Sequence, residues 1–429
     1  MTQQAESTAP VVVQKYGGTS VATAERILAL ADRIERNLAR TPRLVVVLSA
    51  MGKTTDELVS LAHQVSDRPT GREMDLLLST GEQVTVSLLG LALQQRGLPA
   101  ISLTALQCGI RTDGVFNVAR IRSIDTARIV TELDTGRVVI VTGFQGINDT
   151  NDVTTFGRGG SDITGAALAA ALGAEACEIC TDVDGVFSAD PARVRGARRW
   201  AEISYEEAIE MASSGAKVLH PRAAEICMEY DVPIHVRSSF HLRDGTWIRG
   251  GGNIMERAEV VSVTSVSKIA KITLLEVPDE PGLAARVLQD LADAGINIRL
   301  IIQSASSEHQ GRITFILDLE FLAGARELIR RWEADGVARR AEVESDVAKI
   351  SIVGSRLAST PGLAARMFAA LARAGINIDC ISSSEMKVAC VIAGDRIDEA
   401  IQVVHGAFFG EDDQQQAAAA AQPLSPAGI

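Results

Sequence analysis

Cysteines, aromatic residues and long apolar runs are all scarce in this 429-residue sequence. Its six cysteines are too few for a disulfide framework in a chain of this length, which predicts reduced thiols. The longest apolar stretch, near Ala166 to Leu172, is far shorter than the roughly 20 residues needed to span a bilayer. No N-terminal run combines a basic start with an apolar core. The expectation is a cytoplasmic protein without a membrane partner.

Basic residues are also fewer than acidic residues. Lys and Arg number 42 against 54 Asp and Glu, which gives a net charge of −12. This balance disfavours generic binding to a nucleic-acid backbone or to an anionic membrane surface. No nucleic-acid partner is therefore expected, and any anion site must be local.

The residues that are abundant favour an α/β protein. Hydrophobic residues make up 46% of the chain and aromatic residues only 4%, a balance typical of parallel-sheet proteins with covered strands. From Val11 to about Ser238, β-rich runs alternate with helical ones, beginning with the strand "VVVQKY". Such alternation predicts one open, mainly parallel sheet between helical layers, over residues 10–240. Cys177-x-x-Cys180 lies in the strand "CEICT", where residues three apart point to opposite faces, which favours a core position over a metal site.

The C-terminal half of the sequence repeats itself. "PGLAAR" stands at 281–286 and again at 361–366, and "AGINI" stands at 294–298 and again at 374–378. The identical spacing predicts two copies of one small ferredoxin-like βαββαβ module.

These patterns divide the chain into segments. A Gly-rich polar linker is predicted over 241–262, and a low-complexity, disordered tail over 411–429. The first repeat is placed at 263–345 and the second at 346–410, with the alternative that a strand from 258–266 completes the second.

Three glycine-rich elements compete as the phosphate site. "VVVLSAMGKTTDEL" imitates a P-loop, but Val47 stands where the first glycine is required. "GRGGSD" fails as a dinucleotide fingerprint because Asp162 replaces the third glycine. "VVVQKYGGTSVATAERI" combines Lys15, two glycines and a helix N-terminus, which together suit a phosphate anion.

An ordered set of motifs resembles the aspartate kinases, members of the amino acid kinase family. They are "VQKYGGTSV", "LSAMGKTTDEL", "LLLSTGEQV", "GFQG", "TTFGRGGSD", "CTDVDGVFSADP" and "GAKVLHPRA". The two repeats resemble the paired ACT regulatory domains of that family. The resemblance implies the three-layer amino acid kinase fold and phosphorylation of L-aspartate to 4-phospho-L-aspartate by ATP with Mg²⁺. This is the entry step to lysine, threonine and methionine. The alternatives are a catalytically impaired amino-acid sensor and a kinase of the same fold acting on a related acid.

The resemblance also assigns roles to residues of the first domain. Lys15 and Lys217 correspond to cations at the ATP phosphates, and Asp162 to a carboxylate that orients both lysines. No metal ligands are assigned to the protein. The residues implied in aspartate binding are Ser49, Glu82, Arg158 and Ser161.

The residues implied in ATP binding include two departures from the family pattern. Phe187 stands where a tyrosine is common, so a hydroxyl contact is lost. "DPAR" replaces Asp-Pro-Arg, so the arginine is displaced by one position. The implied set is Lys15, Gly17, Gly18, Ser20, Thr181, Asp182, Phe187, Arg193 and Lys217.

Resemblance to ACT domains implies feedback inhibition by threonine, lysine or both. It further implies a homodimer through the ACT modules, or a heterotetramer with a short regulatory subunit starting near Met255. The implied effector-binding residues are Asp279, Gly282, Ala284, Asn297, Gln303, Ile376 and Asn377.

Overall fold

The computed structural model of the chain describes residues 9–67, 69–250, 258–305 and 310–410. The predicted tail over 411–429 and the proposed start at Met255 lie outside the described residues. The chain separates into two compact units. The first unit comprises Met1–Phe187 and Arg199–Glu256, and the second comprises Ser188–Arg198 and Arg257–Ile429.

The first unit is built from alternating strands and helices. In chain order these are β1 (Val11–Tyr16), α1 (Ala24–Asn37), β2 (Arg43–Leu48), α2 (Thr54–Val65), α3 (Arg72–Leu78), α4 (Thr80–Gln95), β3 (Ala100–Leu103), β4 (Ile110–Thr112), β5 (Ile121–Ile124), α5 (Ala127–Asp134), β6 (Val138–Thr142), β7 (Gln145–Ile147), β8 (Val153–Thr155), α6 (Gly160–Ala171), β9 (Ala176–Thr181), β10 (Glu202–Ile203), α7 (Tyr205–Ser213), α8 (Pro221–Glu229), β11 (Ile234–Ser238) and β12 (Thr246–Ile248).

An eight-stranded sheet forms the centre of the first unit, in the order β10-β12-β11-β9-β1-β2-β6-β3. Its pairings are parallel except for β11 with β12, which confirms the predicted mainly parallel sheet. The strand "VVIVT" of β6 is buried along its whole length, as expected for a strand covered on both faces. A smaller four-stranded sheet has the order β5-β4-β7-β8.

Helices cover the two faces of the eight-stranded sheet because neighbouring residues of a strand point to opposite sides. Tyr16 packs with the apolar stripe of α1, which includes Ile27, Leu30 and Ile34. Lys15, the preceding residue, contacts α6 instead. The result is the predicted three-layer arrangement of helices, sheet and helices.

The segment predicted as a linker over 241–262 is corrected by the structure. Thr246–Ile248 form β12 and pair antiparallel with β11. The Thr246 hydroxyl donates to the carbonyl oxygen of Trp200 at 2.6 Å and accepts from the N–H of Val186 at 2.9 Å. The Gly-rich composition of this segment concealed a short strand whose end residues, Thr246 and Ile248, are buried.

The second unit contains the two repeats. Its elements are β13 (Ser262–Pro278), α9 (Leu283–Asp293), β14 (Ile298–Ala305), β15 (Gln310–Asp318), α10 (Leu322–Ala334), β16 (Arg340–Val353), α11 (Leu363–Arg373), β17 (Cys380–Ser383), β18 (Lys387–Ala393) and α12 (Ile397–Phe409). Its strands form one six-stranded sheet in the order β14-β15-β13-β16-β18-β17.

The two long strands β13 and β16 are each shared by both repeats. The first part of β13 pairs with the end of β16, from Ser262 opposite Val353 to Val266 opposite Lys349. The second repeat therefore takes its remaining strand from within the 258–266 segment. β16 also runs without a break through the predicted boundary at 345 and 346, so the repeats are halves of one continuous sheet.

Residues 72–95 contain a stretch that is long and apolar enough for a membrane span. It comprises α3 and α4, and half of its apolar window is buried inside the protein. Length and composition of this kind are also found in core helices, so the stretch is weak evidence for a span.

Candidate active site

The carboxyl ends of three adjacent strands bring the predicted site residues of the first unit together. β1 lies between β2 and β9, with Lys15 opposite Val47 on one side and Ile179 on the other. Ser49 follows β2 directly, and Thr181 is the last residue of β9. Ligands of open parallel sheets bind at this edge.

Lys15 forms a largely buried ion pair with Asp162. Lys15 Nζ lies 2.6 Å from Asp162 Oδ1, and the two side chains are 12% and 10% exposed. Asp162 belongs to the first turn of α6, and its Oδ2 accepts the N–H of His220 at 3.1 Å. Gly165 allows α6 to lie close to the lysine, since a Cβ there would be 3.2 Å from Lys15 Cβ. The lysine ammonium is thus held near the positive end of a helix.

The loop "GRGGSD" begins α6 and depends on its glycines. Gly159, the N-cap of α6, has a φ of 72°, which other residues adopt only with strain. A Cβ at Gly159 would lie 2.5 Å from His220 Cδ2. The loop leaves Arg158 exposed and buries Ser161, so the two predicted aspartate-binding residues meet different surroundings.

Glu82 is a buried carboxylate in the first turn of α4. It is 3% exposed, and its Oε1 accepts the N–H of Ala50 at 3.1 Å, directly after Ser49. Its Oε2 is buried without a hydrogen-bond partner among the described residues. Removal from water raises the pKa of Glu82 to about 7. A buried carboxylate with one unused oxygen is suited to bind a cation.

The loops after β1 and β2 are joined by their backbones. The N–H of Gly52 donates to the carbonyl oxygen of Gly18 at 3.1 Å, and the N–H of Gly17 donates to that of Cys180 at 3.4 Å. Ser20 is differently placed, because its hydroxyl donates to the Ser239 hydroxyl at 2.8 Å. The predicted phosphate loop therefore has its glycines beside Lys15 and its serine directed toward the end of β11.

The remaining predicted nucleotide-binding residues of the first unit lie in two loops. Thr181 donates to the Asp182 carboxylate at 3.2 Å, and Phe187 is half-buried in a β-bridge with Arg199. Lys217 is exposed between α7 and α8 and forms no ion pair with a described residue. The structure places Asp162 against Lys15 and not against Lys217, since its second oxygen accepts from His220.

Arg193, which the resemblance implied in ATP binding, belongs to the second unit. Its guanidinium lies 2.5 Å from the Asp398 carboxylate and donates to the Ser265 hydroxyl at 2.7 Å. The segment Ser188–Arg198 packs with the second repeat, where Ala189 and Val194 join the core of α11 and α12. The arginine that is displaced by one position in "DPAR" thus has Asp398 and Ser265 as its partners.

Two residues that support the site were not predicted. His220 is the N-cap of α8, donates its N–H to Asp162 and contacts Gly159. Asp75 is fully buried, accepts hydrogen bonds from Asn117 and Thr155, and so holds the strand leading into "FGRGGSD". A sequence signal exists for Asp75, because a lone acid in the run "EMDLLL" requires buried partners.

Family models match both units. The amino acid kinase family model matches residues 10–238, and two ACT domain models match residues 271–336 and 350–408. The fold and the lysine–aspartate site thus define an amino acid kinase followed by paired ACT domains.

Relatives that match over nearly their full length show which amino acid kinases the chain resembles. The chain is 45% identical over 398 residues to an aspartokinase of Geobacillus stearothermophilus, covering 93% of this chain and 97% of that protein. It is 44% identical over 400 residues to an aspartokinase of Thermus thermophilus, covering 93% and 98%. The chain belongs to the aspartokinases, and as such it is an ATP-binding kinase that phosphorylates aspartate.

Solved structures agree with this assignment. Escherichia coli aspartokinase III in complex with aspartate and ADP (R-state) superimposes with a TM-score of 0.77 at 26% identity, covering 93% of this chain and 100% of that one. Aspartate kinase from Synechocystis gives a TM-score of 0.52 at 43% identity, covering 98% and 70%.

Proposed function

We propose that the chain transfers the γ-phosphoryl group of ATP to the side-chain carboxylate of L-aspartate, giving 4-phospho-L-aspartate. We further propose that it does so in the cytoplasm, as the first step toward lysine, threonine and methionine, under feedback control. The observation that carries the site assignment is the buried Lys15–Asp162 pair at the N-terminus of α6. A similar protein, aspartokinase III, has been solved with aspartate and ADP.

The proposed chemistry requires placement and charge neutralisation rather than a general base. A side-chain carboxylate with a pKa near 3.9 is already ionised at pH 7 and can attack phosphorus directly. The reaction brings two anions together, so the protein must offset the charge on the transferring group. Lys15 supplies a cation there, and Asp162 positions it because both carboxylate oxygens of Asp162 are engaged.

Mg²⁺ is proposed to accompany ATP. Among the residues that the structure describes, no group of three His, Cys, Asp or Glu side chains could hold a metal ion. This fits Mg²⁺, which is commonly held by substrate phosphates with one or two carboxylates and water. No protein ligand is assigned to Mg²⁺, and the exposed Asp182 at the end of β9 stays with Thr181 and Phe187 among the proposed nucleotide-binding residues. When bound, Mg²⁺ would neutralise charge on the ATP phosphates.

We assign the rest of the nucleotide site by position. Gly17 and Gly18 follow β1 directly, and we assign their turn to the phosphates because glycines allow the backbone to come close to a ligand. Thr181 and Phe187 are assigned to the adenosine end, and Lys217 to a second cation on the phosphates. Exposure of Lys217 leaves its ammonium available to a ligand.

Four residues are assigned to aspartate. Arg158 offers a planar guanidinium to the α-carboxylate. The Oε2 of Glu82, which has no hydrogen-bond partner among the described residues, offers a counter-charge to the ammonium. The other two are Ser49 and Ser161.

The first prediction concerns the pH dependence of aspartate binding. Because the pKa of Glu82 is raised to about 7, the carboxylate is half protonated near neutral pH and neutral below it. Only the ionised form attracts an ammonium, so the KM for aspartate should rise several-fold from pH 8 to pH 6. In Glu82→Gln the KM should be raised at both values and lose this pH dependence. Steady-state kinetics at the two pH values measure the KM for aspartate. If Glu82→Gln keeps the pH dependence of the wild type, Glu82 does not bind the ammonium of aspartate.

The second prediction concerns Arg158. In Arg158→Lys the charge remains but the bidentate fork is lost, which should raise the KM for aspartate or lower kcat about tenfold. The KM for ATP should change little. A matched control is Arg122→Lys, an exposed arginine of β5 outside the site. Wild-type kinetics in Arg158→Lys would refute the assignment.

The overall reaction is tested with a coupled assay of ADP release. Aspartate-dependent turnover is expected, with much slower turnover on glutamate. The same assay with added lysine, threonine or both tests feedback control. Turnover that ignores both amino acids would sink the feedback proposal while leaving the kinase assignment intact.

The effector site is proposed in the first repeat. A cavity of about 470 Å³ is lined by four of the residues implied by the ACT resemblance: Asp279, Gly282, Ala284 and Gln303. Asn297, Ile376 and Asn377 lie outside its described lining, and we retain them as proposed contacts across an ACT interface. Aspartokinase III has also been solved with lysine and aspartate (T-state), and this structure superimposes on the chain with a TM-score of 0.70 at 26% identity.

The third prediction tests this cavity. Asp279→Ala and Gln303→Ala remove a charge and an amide from its wall, so the concentration of amino acid giving half inhibition should rise at least tenfold. Uninhibited kcat should be unchanged. The control Asp293→Ala removes an acid at the end of α9, outside the cavity lining. Equal inhibition curves for Asp279→Ala and wild type would place the effector elsewhere.

Assembly is proposed to involve the ACT repeats, as a homodimer or with a short subunit starting near Met255. Expressing the full gene separates these forms. A second product of about the size of residues 255–429 supports the heterotetramer, and a single product of dimeric mass supports the homodimer.

A further inference from the structure

A cavity of about 390 Å³ lies in the first unit, apart from the Lys15–Asp162 pair. One wall is formed by α1, and the other is the segment 239–242 after β11. Tyr16 lines it, whereas Lys15, its neighbour on β1, contacts α6. Because adjacent strand residues point to opposite faces, the cavity and the lysine–aspartate pair lie on opposite sides of the sheet.

The wall formed by α1 is strongly basic. Arg26, Arg33 and Arg36 line the cavity, and their spacing places them along one stripe of the helix. No Asp or Glu is among the described residues that line it. In a chain with a net charge of −12, three arginines without an acid on one wall are unlike the average surface.

Arg33 is the buried arginine of this wall, and it has few hydrogen-bond partners. It is 7% exposed, and among the described residues it donates one hydrogen bond, from Nη1 to the Ser238 carbonyl oxygen at 2.9 Å, and forms no ion pair. A guanidinium has five N–H donors, and burying a charge without a counter-charge is costly. The other nitrogens of Arg33 are not among the buried, unpartnered atoms of the described residues, so an anion in the cavity can reach them.

The acidic groups near α1 are engaged elsewhere. Asp32 and Glu35 lie 2.6 Å and 3.9 Å from the guanidinium of Arg96. Glu178, buried on the neighbouring strand β9, accepts from Gln14 at 2.8 Å and lies 3.2 Å from Arg237. These carboxylates are not the counter-charge of the arginine stripe.

On the opposite wall, Phe240 packs against Arg26, and His241 adds a polar side chain. The guanidinium of Arg26 lies 4.6 Å from the ring centroid of Phe240 and also bonds the Thr19 carbonyl. His241 has Nε2 2.7 Å from the Asp184 carboxylate, and its Nδ1 is buried without a hydrogen-bond partner among the described residues. The cavity thus has an aromatic support for one arginine and an imidazole whose Nε2 is already paired with a carboxylate.

We propose that this cavity, lined by Arg26, Arg33, Arg36 and His241, is a binding site for a small phosphate-bearing anion, separate from the catalytic phosphate site. Three arginines offer more positive charge than one carboxylate requires, and their forks suit the several oxygens of a phosphate group. The ligand is inorganic phosphate or a small phosphate monoester. Ser20 also lines the cavity, so the occupant contacts the turn that follows Gly17 and Gly18.

The proposal is tested by calorimetric titration of the full chain with inorganic phosphate and, separately, with glycerol 3-phosphate. Saturable binding is expected, and the tighter of the two probes identifies the source of the phosphate group. The double variant Arg26→Gln/Arg36→Gln should bind at least tenfold more weakly, as expected for the loss of charge-assisted hydrogen bonds. Its two positions are exposed, so the variant is expected to fold even where Arg33→Gln does not.

Two control variants distinguish binding in this cavity from binding to basic side chains elsewhere in the first unit. Arg40→Gln removes one positive charge just beyond α1, outside the cavity lining, and should bind as wild type. Lys15→Met removes the lysine of the catalytic site and should also retain binding. Absence of saturable binding, binding unaffected by the double arginine change, or binding lost only in Lys15→Met would each overturn the proposal.

Discussion

Lys15→Met is expected to lower kcat/KM for the kinase reaction by roughly two to three orders of magnitude, the size of effect seen when one preorganised charge stabiliser is removed. The lysine is 12% exposed and is held 2.6 Å from Asp162 at the start of α6. A methionine has similar length but cannot offset the charge that builds on the transferring phosphoryl group. The loss should appear mainly in kcat, because the interaction strengthens in the transition state.

The matched control for Lys15→Met is Lys53→Met. Lys53 belongs to the segment that imitates a P-loop, yet it is exposed and lies at the N-cap of α2. Its replacement should change kcat/KM by less than about twofold, as is usual for exposed residues outside a site. Circular dichroism and a melting curve must show that both variants fold. A folded Lys15→Met variant with activity near wild type would refute the assigned role.

Gly159→Ala is expected to lower kcat/KM by about 100-fold and to destabilise the fold by about 2 kcal/mol or more. The backbone φ of 72° already costs an L-residue about 1–2 kcal/mol. The added Cβ would also lie 2.5 Å from His220 Cδ2, so the loop or α8 must shift. A displacement near 1 Å at the start of α6 would move Asp162 and Ser161, and misplacement of about that size costs about 100-fold in rate.

Gly173→Ala is the control that separates the effect of backbone strain from the effect of a steric clash with His220. Gly173 follows the other end of the same helix, has a φ of 55°, and a Cβ there would meet no heavy atom within 4 Å. It should lose about 1–2 kcal/mol of stability, the cost of a left-handed backbone to an L-residue, and keep its activity. Chemical denaturation and steady-state kinetics on both variants give the comparison. Equal activity losses would show that strain at α6, and not contact with His220, controls the site.

Local patterns were sufficient for most of the fold. Alternating β and helical runs indicated a mainly parallel sheet because burial on both faces requires continuous apolar strands such as "VVIVT". The spacing of "PGLAAR" and "AGINI" indicated two repeats. Composition failed at 241–262, where a three-residue strand is stabilised by pairing with β11 and not by its own sequence.

By itself the sequence determined the class of fold, the repeat and the loops in which site residues stand, because these depend on interactions between near neighbours. Only the tertiary structure decided which side chains meet. The pairing of Lys15 with Asp162, the support from His220 and Asp75, and the engagement of Arg193 by Asp398 join residues far apart in the chain. Such contacts depend on strand order and on which face each side chain takes, and neither is encoded in any one short segment.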